Sequence, residues 1–208
     1  ARYGHAVVQL PDDALLLIGG YDGSYRNDVW RSADGGTTWT QVTASAPFVG
    51  RVRHGACVLG DGTVLVMGGD TSGPKVNDVW ASADGGATWT QRTASAEWET
   101  RELFGCVALR DGTVLVMGGN WSRAGYANDV WASSDGGATW TQRAQSTGWS
   151  GRYGFGAGVL ADGRVVVVGG SNGSARLNET WSSGDGGATW EQVSSTAPWD
   201  PRIKFGFA

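Results

Sequence analysis

Residues 82–89 form the octapeptide Ser-Ala-Asp-Gly-Gly-Ala-Thr-Trp, one copy of a pattern that recurs along the chain. The general form, Ser-x-Asp-x-Gly-x-Thr-Trp, is found four times, at Ser32–Trp39, Ser82–Trp89, Ser133–Trp140 and Ser183–Trp190. Successive copies begin 50, 51 and 50 residues apart. A constant period of that length indicates stacked structural units instead of one large core.

Each copy lies inside a longer repeated segment that predicts four short strands. In the second copy, apolar or β-branched runs are separated by Gly-rich turns at Asp61-Gly62, Gly68-Gly69 and Asp84–Gly86. Val, Leu, Thr and Trp fit a pleated surface, and Asp-Gly and Gly-Gly steps tolerate positive φ. We therefore expect each repeat to be one four-stranded antiparallel sheet.

The second strand of each repeat predicts how the sheets pack. It is apolar at successive positions in every copy: Leu15–Ile18, Val64–Met67, Val114–Met117 and Val165–Val168. A strand of that type has to be covered on both faces, which happens when sheets stack face to face around an axis. The sequence predicts an all-β fold, a β-propeller of antiparallel blades.

The chain is predicted to be a single propeller domain over residues 1–208. The blades are expected at about residues 2–50, 51–100, 101–151 and 152–201, and residues 202–208 begin a further repeat. That further repeat favours four blades of a larger ring. The alternative is a closed ring of four, in which one terminal strand is redundant or clasps the other.

The repeat resembles two known families. Gly-Gly doublets followed by Asn-Asp-Val-Trp, as at Gly68-Gly69 and Asn77–Trp80, resemble the kelch repeat, and Ser-x-Asp-x-Gly-x-Thr-Trp resembles the Asp-box (BNR repeat) of sialidase-type propellers. Together they imply a kelch-type propeller whose outer hairpins carry Asp-boxes. In both families these residues are architectural. The Asp-box carboxylates are therefore expected to hold turns, without a catalytic or metal role: Asp34, Asp84, Asp135 and Asp185.

Composition excludes several partner classes. The net charge is −4, with no basic block, so nucleic acid is not an expected partner. No apolar run approaches the roughly 20 residues of a membrane helix, so direct membrane insertion is not expected. No cofactor or metal pattern is visible. Cys57 and Cys106 are expected to be buried free thiols, with a disulfide as the alternative.

Three sequons bear on location. They begin at Asn120, Asn172 and Asn178, and two of them lie in loops after Gly-Gly. Surface sequons favour a secreted or lumenal protein over a cytoplasmic one, although a chain rich in Ser and Thr also produces sequons by chance.

The loops after each Gly-Gly are the first candidate binding site, because they differ between repeats while the strands are occupied by packing. Aromatic and Arg side chains there have the character of interface hot spots. The alternative is that they only cover the neighbouring blade. The candidates are Tyr21, Tyr25, Arg26, Trp121, Arg123 and Tyr126.

Arginines at the start of each repeat are the second candidate. In kelch propellers such arginines can line the mouth of the central channel, where a ring of guanidiniums would attract a carboxylate or phosphate. The alternative is that each pairs with a carboxylate or a backbone carbonyl in every blade alike. The residues are Arg2, Arg51, Arg53, Arg101, Arg152 and Arg202.

These features favour a non-catalytic protein-interaction module or scaffold, acting as a subunit of a larger assembly, over two other classes. A carbohydrate-binding lectin is the first alternative, since loop Trp and Tyr stack on sugars. Its pockets should recur in register, and the loop aromatics do not. A sialidase-like glycosidase is less favoured, because the Phe-Arg-Ile-Pro element of that family is absent and His5 and His54 stand where other copies have Phe.

Overall fold

All regular elements in the described part of the protein are β-strands. The computed structural model describes residues 1–122 and 125–204. In chain order the strands are β1 (Ala6–Gln9), β2 (Leu15–Tyr21), β3 (Tyr25–Ser32), β4 (Thr40–Thr43), β5 (Arg51–Val52), β6 (Gly55–Val58), β7 (Val64–Met67), β8 (Asp70–Thr71), β9 (Val79–Ser82), β10 (Thr90–Thr93), β11 (Arg101–Glu102), β12 (Gly105–Ala108), β13 (Val114–Trp121), β14 (Tyr126–Ser133), β15 (Thr141–Ala144), β16 (Gly156–Val159), β17 (Val165–Ser171), β18 (Arg176–Ser183) and β19 (Glu191–Ser194).

The strands form four antiparallel sheets in sequence order. The first contains β1–β4, the second β6, β7, β9 and β10, the third β12–β15 and the fourth β16–β19. β11 extends the third sheet by pairing with β13, and β5 and β8 form a short ladder of their own at the corresponding place. The all-β propeller predicted from the sequence is therefore confirmed, with four antiparallel blades.

The Gly-Gly doublet is an irregularity inside the second strand. In the first sheet the register between β2 and β3 shifts between Ile18 and Gly20. Gly20 has a φ of 100°, and a Cβ there would lie 2.8 Å from the Cβ of His5. Glycine is needed because the backbone adopts a positive φ that other residues rarely adopt and because the opening segment of the same repeat, which contains His5, passes close by.

Apolar cores lie between consecutive sheets. In the first core Leu16 and Ile18 of the first sheet are buried with Val64 and Val66 of the second. Two further cores join the second sheet to the third and the third to the fourth in the same way. Within residues 1–122 and 125–204 no such core joins the fourth sheet to the first.

Two further sequence expectations concern the cysteines and membranes. Cys57 and Cys106 are free thiols; Cys57 is buried, as expected, whereas Cys106 is half-buried. The pKa of the Cys106 thiol lies well above its usual value, because the thiol hydrogen-bonds with Cys57 and its sulfur is shielded from water. Across the described ranges, no helix is long and apolar enough to span a bilayer.

Candidate binding face

One end of the sheets carries both sets of candidate residues. Tyr3, in the segment that opens the first repeat, exchanges two backbone hydrogen bonds with Tyr21, at 3.1 and 2.9 Å. The equivalent pairings are Val52 with Asp70, Glu102 with Asn120 and Tyr153 with Ser171. Each opening segment therefore lies beside the loop that follows Gly-Gly. We call this end of the molecule the loop face.

Three tyrosines cluster at the first-sheet side of the loop face. The ring centroids of Tyr3 and Tyr21 are 5.5 Å apart, and those of Tyr21 and Tyr25 are 5.2 Å apart in an edge-on arrangement. Tyr3 is 57% exposed. Arg26, also exposed, donates from Nε to Asp22 at 2.8 Å. The structure thus brings together Tyr21, Tyr25 and Arg26, and adds Tyr3.

The third loop is arranged differently. Tyr126 stacks on Tyr153 with ring centroids 4.7 Å apart, and its ring also lies against Gly173 in the fourth-sheet loop. Trp121 is half-buried, and its Nε1–H has no hydrogen-bond partner among the residues described. Tyr126 therefore covers the neighbouring blade, as the alternative interpretation anticipated. Arg123 lies outside the described residues.

Three of the repeat-opening arginines have no exposed side-chain surface. Arg51 donates from both terminal nitrogens to the carboxylate of Asp78, each at 2.8 Å, and from Nη1 to the carbonyl of Gly68 at 3.0 Å. Its guanidinium lies 5.1 Å from the ring centroid of Phe48. Arg101 pairs in the same way with Asp129, and Arg152 pairs with Glu179. These three charges are neutralised inside their own blades, so they are not open to an anionic ligand.

Arg2 and Arg202 depart from that arrangement. Arg2 makes the same paired contact, with Asp28 at 2.7 and 2.8 Å, but its side chain keeps 18% exposure. Arg202 is exposed and donates to the carbonyl of Asp200, with no carboxylate partner in the described ranges. The predicted ring of arginines is therefore not uniform: three are buried in ion pairs, Arg2 is paired but partly exposed, and Arg202 has an open side chain.

A chain of backbone hydrogen bonds runs around the propeller axis. Each N–H donates to the carbonyl of the equivalent residue one repeat earlier: Arg53 to Gly4 at 2.6 Å, Leu103 to Arg53 at 3.0 Å, Gly154 to Leu103 at 2.9 Å and Lys204 to Gly154 at 2.8 Å. All five residues have φ between 55° and 63°. We call them the axial residues.

The axial residues line a cavity of about 420 Å³ whose wall also includes Tyr3 of the loop face. Its wall includes the histidines that stand where the later repeats have phenylalanine. His54 is buried, and neither of its ring nitrogens has a hydrogen-bond partner in the described structure. Burial, with a smaller effect from Arg51, lowers the pKa of His54 to about 3. Burial and Arg2 also lower the pKa of His5. Both imidazoles are neutral at neutral pH.

A buried carboxylate stands beside this cavity. Glu102 accepts hydrogen bonds from Arg53 at 3.0 Å and from Asn120 at 3.1 Å, and Lys75 lies 3.5 Å away. The hydrogen bond that Arg53 donates to Glu102 raises the pKa of the Arg53 guanidinium. Arg53 is the one repeat-opening arginine that both lines the cavity and bridges two blades, because its partner belongs to the next repeat.

The four Ser-x-Asp-x-Gly-x-Thr-Trp segments form tight hairpins between the third and fourth strands; we call them the aspartate hairpins. In the last, Asp185 accepts from the backbone N–H of Thr189 at 2.9 Å, from its hydroxyl at 2.5 Å and from Ser183 at 2.8 Å. The Thr189 hydroxyl and backbone bonds are the main cause of a pKa of about 2 for Asp185. The carboxylates of Asp34, Asp84 and Asp135 make the same contacts within their own hairpins, so they do not converge.

The three sequon asparagines differ in whether the side-chain amide nitrogen donates a hydrogen bond. The Asn178 side chain donates to the carbonyls of Ala197 and Trp199, and Asn120 donates to Glu102. Asn172 uses its carbonyl oxygen to accept from Ser174 and Ala175, and its amide nitrogen makes no such contact in the described part of the chain. Of the three, Asn172 has the free amide that glycosylation needs.

Sequence reasoning missed Tyr3, Tyr153 and Glu102 as members of this face. They occupy the same position of the repeat, one residue after the opening arginine, where the second repeat has Val52. The sequence did carry a signal for these residues, because the residue type at this one position of the repeat varies between copies. In the part of the chain that is described, no group of three His, Cys, Asp or Glu side chains could hold a metal ion.

Comparison with known proteins identifies a family. Residues 4–205 match the family model described as the KLHDC2/KLHL20/DRC7 Kelch-repeats domain. No curated protein matches the chain.

Proposed function

The chain belongs to the kelch-repeat family, and we propose that it is a non-catalytic protein-interaction module whose partner is a polypeptide bound at the loop face. Kelch-repeat propellers are typically protein-interaction modules. The observation that carries the proposal is the cluster of Tyr3, Tyr21 and Tyr25 next to Arg26. Large aromatic side chains with few rotatable bonds, placed beside a guanidinium, are what protein interfaces enrich at their energetic centres.

The rest of the loop face supports the same use. The axial cavity adjoins the tyrosine cluster through Tyr3, and Arg53 and Lys204 at its wall give it a cationic lining beside neutral imidazoles. A partner chain that lies on the tyrosines can therefore insert a side chain or a backbone turn toward the axis. A pocket next to a flat aromatic patch favours a polypeptide that contributes one anchoring residue.

The test is a quantitative pull-down with matched variants. Wild-type protein, Tyr25→Ala and Arg26→Ala are immobilised and exposed to extract of the source cells after reversible crosslinking, and bound proteins are quantified by mass spectrometry. Arg110→Ala, an exposed residue in the turn between β12 and β13 at the opposite end, is the control. We expect the bound amount of at least one protein to fall about tenfold or more with both loop-face variants and to stay unchanged with the control. Binding that no loop-face variant alters would refute the proposal.

A glycan array separates the lectin alternative from this one. The lectin alternative is correct if the wild type and Arg110→Ala bind a defined oligosaccharide and Tyr25→Ala does not. The ligand of the loop face would then be a carbohydrate instead of a polypeptide. The tyrosines of the first loop have no equivalents in the second and fourth loops, which argues against one sugar pocket per blade. If the partner bound at the loop face is itself part of a complex of several proteins, the chain is a scaffold or a subunit of that complex.

We also propose that the aspartate hairpins are structural Asp-boxes and that the chain is not an enzyme. The support is that each carboxylate is occupied by Ser, Thr and backbone groups of its own hairpin. The four hairpins sit one per blade, so no nucleophile and base are brought together by them. If the wild-type protein hydrolyses a fluorogenic sialoside and the Asp185→Asn variant does not, this assignment is wrong.

For location we propose the secreted or lumenal space, with the free amide of Asn172 as the support. Protein isolated from its source should then lose the mass of one glycan on treatment with an endoglycosidase. Asn172→Gln should abolish the shift. An unmodified Asn172 in the natural protein would contradict the proposed location.

A further inference from the structure

Two thiols and a thioether meet in the core between the second and third sheets. The Cys106 thiol donates to Sδ of Met67, and the two sulfur atoms are 3.8 Å apart. The same thiol hydrogen-bonds with the thiol of Cys57. Cys57 and Met67 belong to the second sheet and Cys106 belongs to the third, so the contacts join two blades. We call these three side chains the sulfur cluster.

The backbone explains why the three side chains converge. Gly55 pairs with Met67 across β6 and β7, and Cys57 follows on the same face of β6 because side chains alternate along a strand. Gly55 has no side chain, and a Cβ there would lie 3.1 Å from the Cβ of Cys106. Cys106 therefore occupies the space above Gly55, beside its neighbour along the strand and its partner across the sheet.

The other two interfaces between sheets have no such cluster. Their equivalent positions hold aliphatic side chains, with one methionine that has no cysteine beside it. The equivalents of Cys57, Cys106 and Met67 are Val8, Ala56 and Ile18 in the first core and Val107, Ala157 and Met117 in the third. Packing between blades is thus achieved without any thiol, so the sulfur cluster is not a general requirement of the fold.

The sulfur cluster can be reached from the axis of the propeller. The innermost strand of each blade lines a cavity of about 210 Å³, which we call the inner-strand cavity, and Cys106 lies in its wall beside Ala56 and Ala157. Cys106 is half-buried, whereas Cys57 is 7% exposed and Met67 has no exposed surface. A small ion in this cavity therefore meets Cys106 first, and the other two side chains lie behind it.

The spacing of the sulfurs suits a soft metal ion. In a trigonal centre with metal–sulfur bonds of about 2.3 Å, neighbouring sulfur atoms are about 4 Å apart. The separation between the sulfurs of Cys106 and Met67 is close to that value. Methionine has an unbranched, adaptable side chain, so an ion between these sulfurs needs little rearrangement of the surrounding core.

The ligand types decide which ion fits. Thiolate and thioether sulfur select Cu(I), whereas hard cations require oxygen ligands, and the second core around the cluster is apolar. Structural Zn²⁺ sites take four ligands from Cys, His and carboxylates. The described residues hold no group of three His, Cys, Asp or Glu side chains, so they offer no zinc set. Cu(I) accepts a lower coordination number, for which two cysteines and a methionine are sufficient.

We propose that Cys57, Cys106 and Met67 form a binding site for Cu(I), which enters from the inner-strand cavity and joins the second blade to the third. Each cysteine that binds the ion loses its thiol proton to solvent, and the copper stays in the Cu(I) state throughout. The site lies inside the propeller, and it does not depend on the polypeptide interaction proposed for the loop face.

The test is a competition for Cu(I) under anaerobic conditions. Cu(I) is supplied as its coloured complex with bicinchoninate, and loss of the colour reports transfer of the ion to the protein. We expect the wild-type protein to take up one ion per chain. Its thermal unfolding midpoint should rise at the same time, because a ligand that binds only the folded state stabilises that state.

The first core supplies the matched variant. Cys57→Val with Cys106→Ala gives the second core the residue types that the first core already packs, so this double variant should fold and take up no Cu(I). Met67→Ile should weaken binding about tenfold or more, because it removes the thioether. Met117→Ile, the equivalent change in the third core, should leave Cu(I) binding unchanged.

Three results would overturn the proposal. The first is wild-type protein that takes no Cu(I) from the complex. The second is equal uptake by the folded double variant, because the ion would then bind elsewhere. The third is a disulfide between Cys57 and Cys106 in protein whose free thiols are alkylated on isolation from its source, since the oxidised sulfurs could not bind the ion as thiolates. None of these results bears on binding at the loop face, which is tested separately.

Discussion

A buried hydroxyl organises each aspartate hairpin. Ser133 is 1% exposed, donates to Asp135 at 2.8 Å and accepts from the backbone N–H of Gly137 at 2.9 Å. Ser133→Ala leaves that N–H without a partner, and we expect it to lower the free energy of unfolding by about 1–3 kcal/mol. Urea denaturation followed by tryptophan fluorescence measures the change. Ser134→Ala, in the neighbouring exposed position, should be neutral; equal effects of the two variants would contradict the role assigned to the hydroxyl.

The hairpin carboxylates predict a loss of stability in acid. Asp34 and Asp185 have pKa values of about 2, against an ordinary value of 3.8, chiefly because Thr38 and Thr189 donate to them. A lowered pKa stabilises the folded state above pH 3.8, and the contribution disappears as the pH falls toward 2. The urea midpoint should therefore decline between about pH 4 and pH 2. In Asp185→Asn that decline should be shallower, and an unchanged slope would refute the assignment.

At the scale of strands, the buried arginine joins the opening segment of a repeat to its third strand. Arg101 has no exposed side-chain surface and pairs with Asp129 at 2.7 Å. Asp129→Ala leaves a buried guanidinium unpaired, and we expect a loss of about 3–5 kcal/mol in the free energy of unfolding. Asp129→Glu should cost much less, because the fourth sheet uses Glu179 at this position. Asp28→Ala is the matched control in a pair whose arginine keeps 18% side-chain exposure, and it should cost less than Asp129→Ala. An equal loss would argue against burial of the arginine as the cause.

The contact between sheets can be measured with two equivalent glycines. Gly86 and Gly36 have nearly the same φ, 90° and 93°, so alanine meets equal backbone strain at both. A Cβ at Gly86 also lies 2.9 Å from Val29 of the preceding sheet, which Gly36 does not experience. We expect Gly86→Ala to cost about 1–3 kcal/mol more than Gly36→Ala by urea denaturation. Equal costs would mean that the interface between the sheets accommodates the added methyl group without losing stability.

Local sequence signals predicted most of the strands and turns. Which residues contact each other across the fold was harder to predict. Strand runs, Gly-Gly doublets and hairpins follow from periodicity and turn residues, and they lie where they were expected. The sequence left two roles open for Arg51 and its equivalents, because the choice depends on which carboxylate, 27 or 28 residues away, reaches them in space. The position of Tyr3 beside Tyr21 likewise depends on a bridge between segments that no local pattern encodes.

For the whole molecule, the order of packing predicts the order of opening. The second and third sheets are covered on both faces, and the first and fourth on one face each, within the described structure. Each repeat gains stability from its neighbours, so among these four the sheets covered on one face should open more often. Hydrogen exchange on dilute protein should therefore be faster for amides of β2 and β17 than for those of β7 and β13. Uniform exchange across the four strands would indicate a single cooperative unit.

The axial residues store backbone strain at the centre of the propeller. Gly4 and Gly154 adopt a left-handed φ at no steric cost, whereas Arg53, Leu103 and Lys204 adopt it at about 1–2 kcal/mol each. All three strained side chains line the same cavity. Strain of this kind is concentrated at ligand-binding and catalytic sites, so the axial cavity is where we expect a ligand to be anchored.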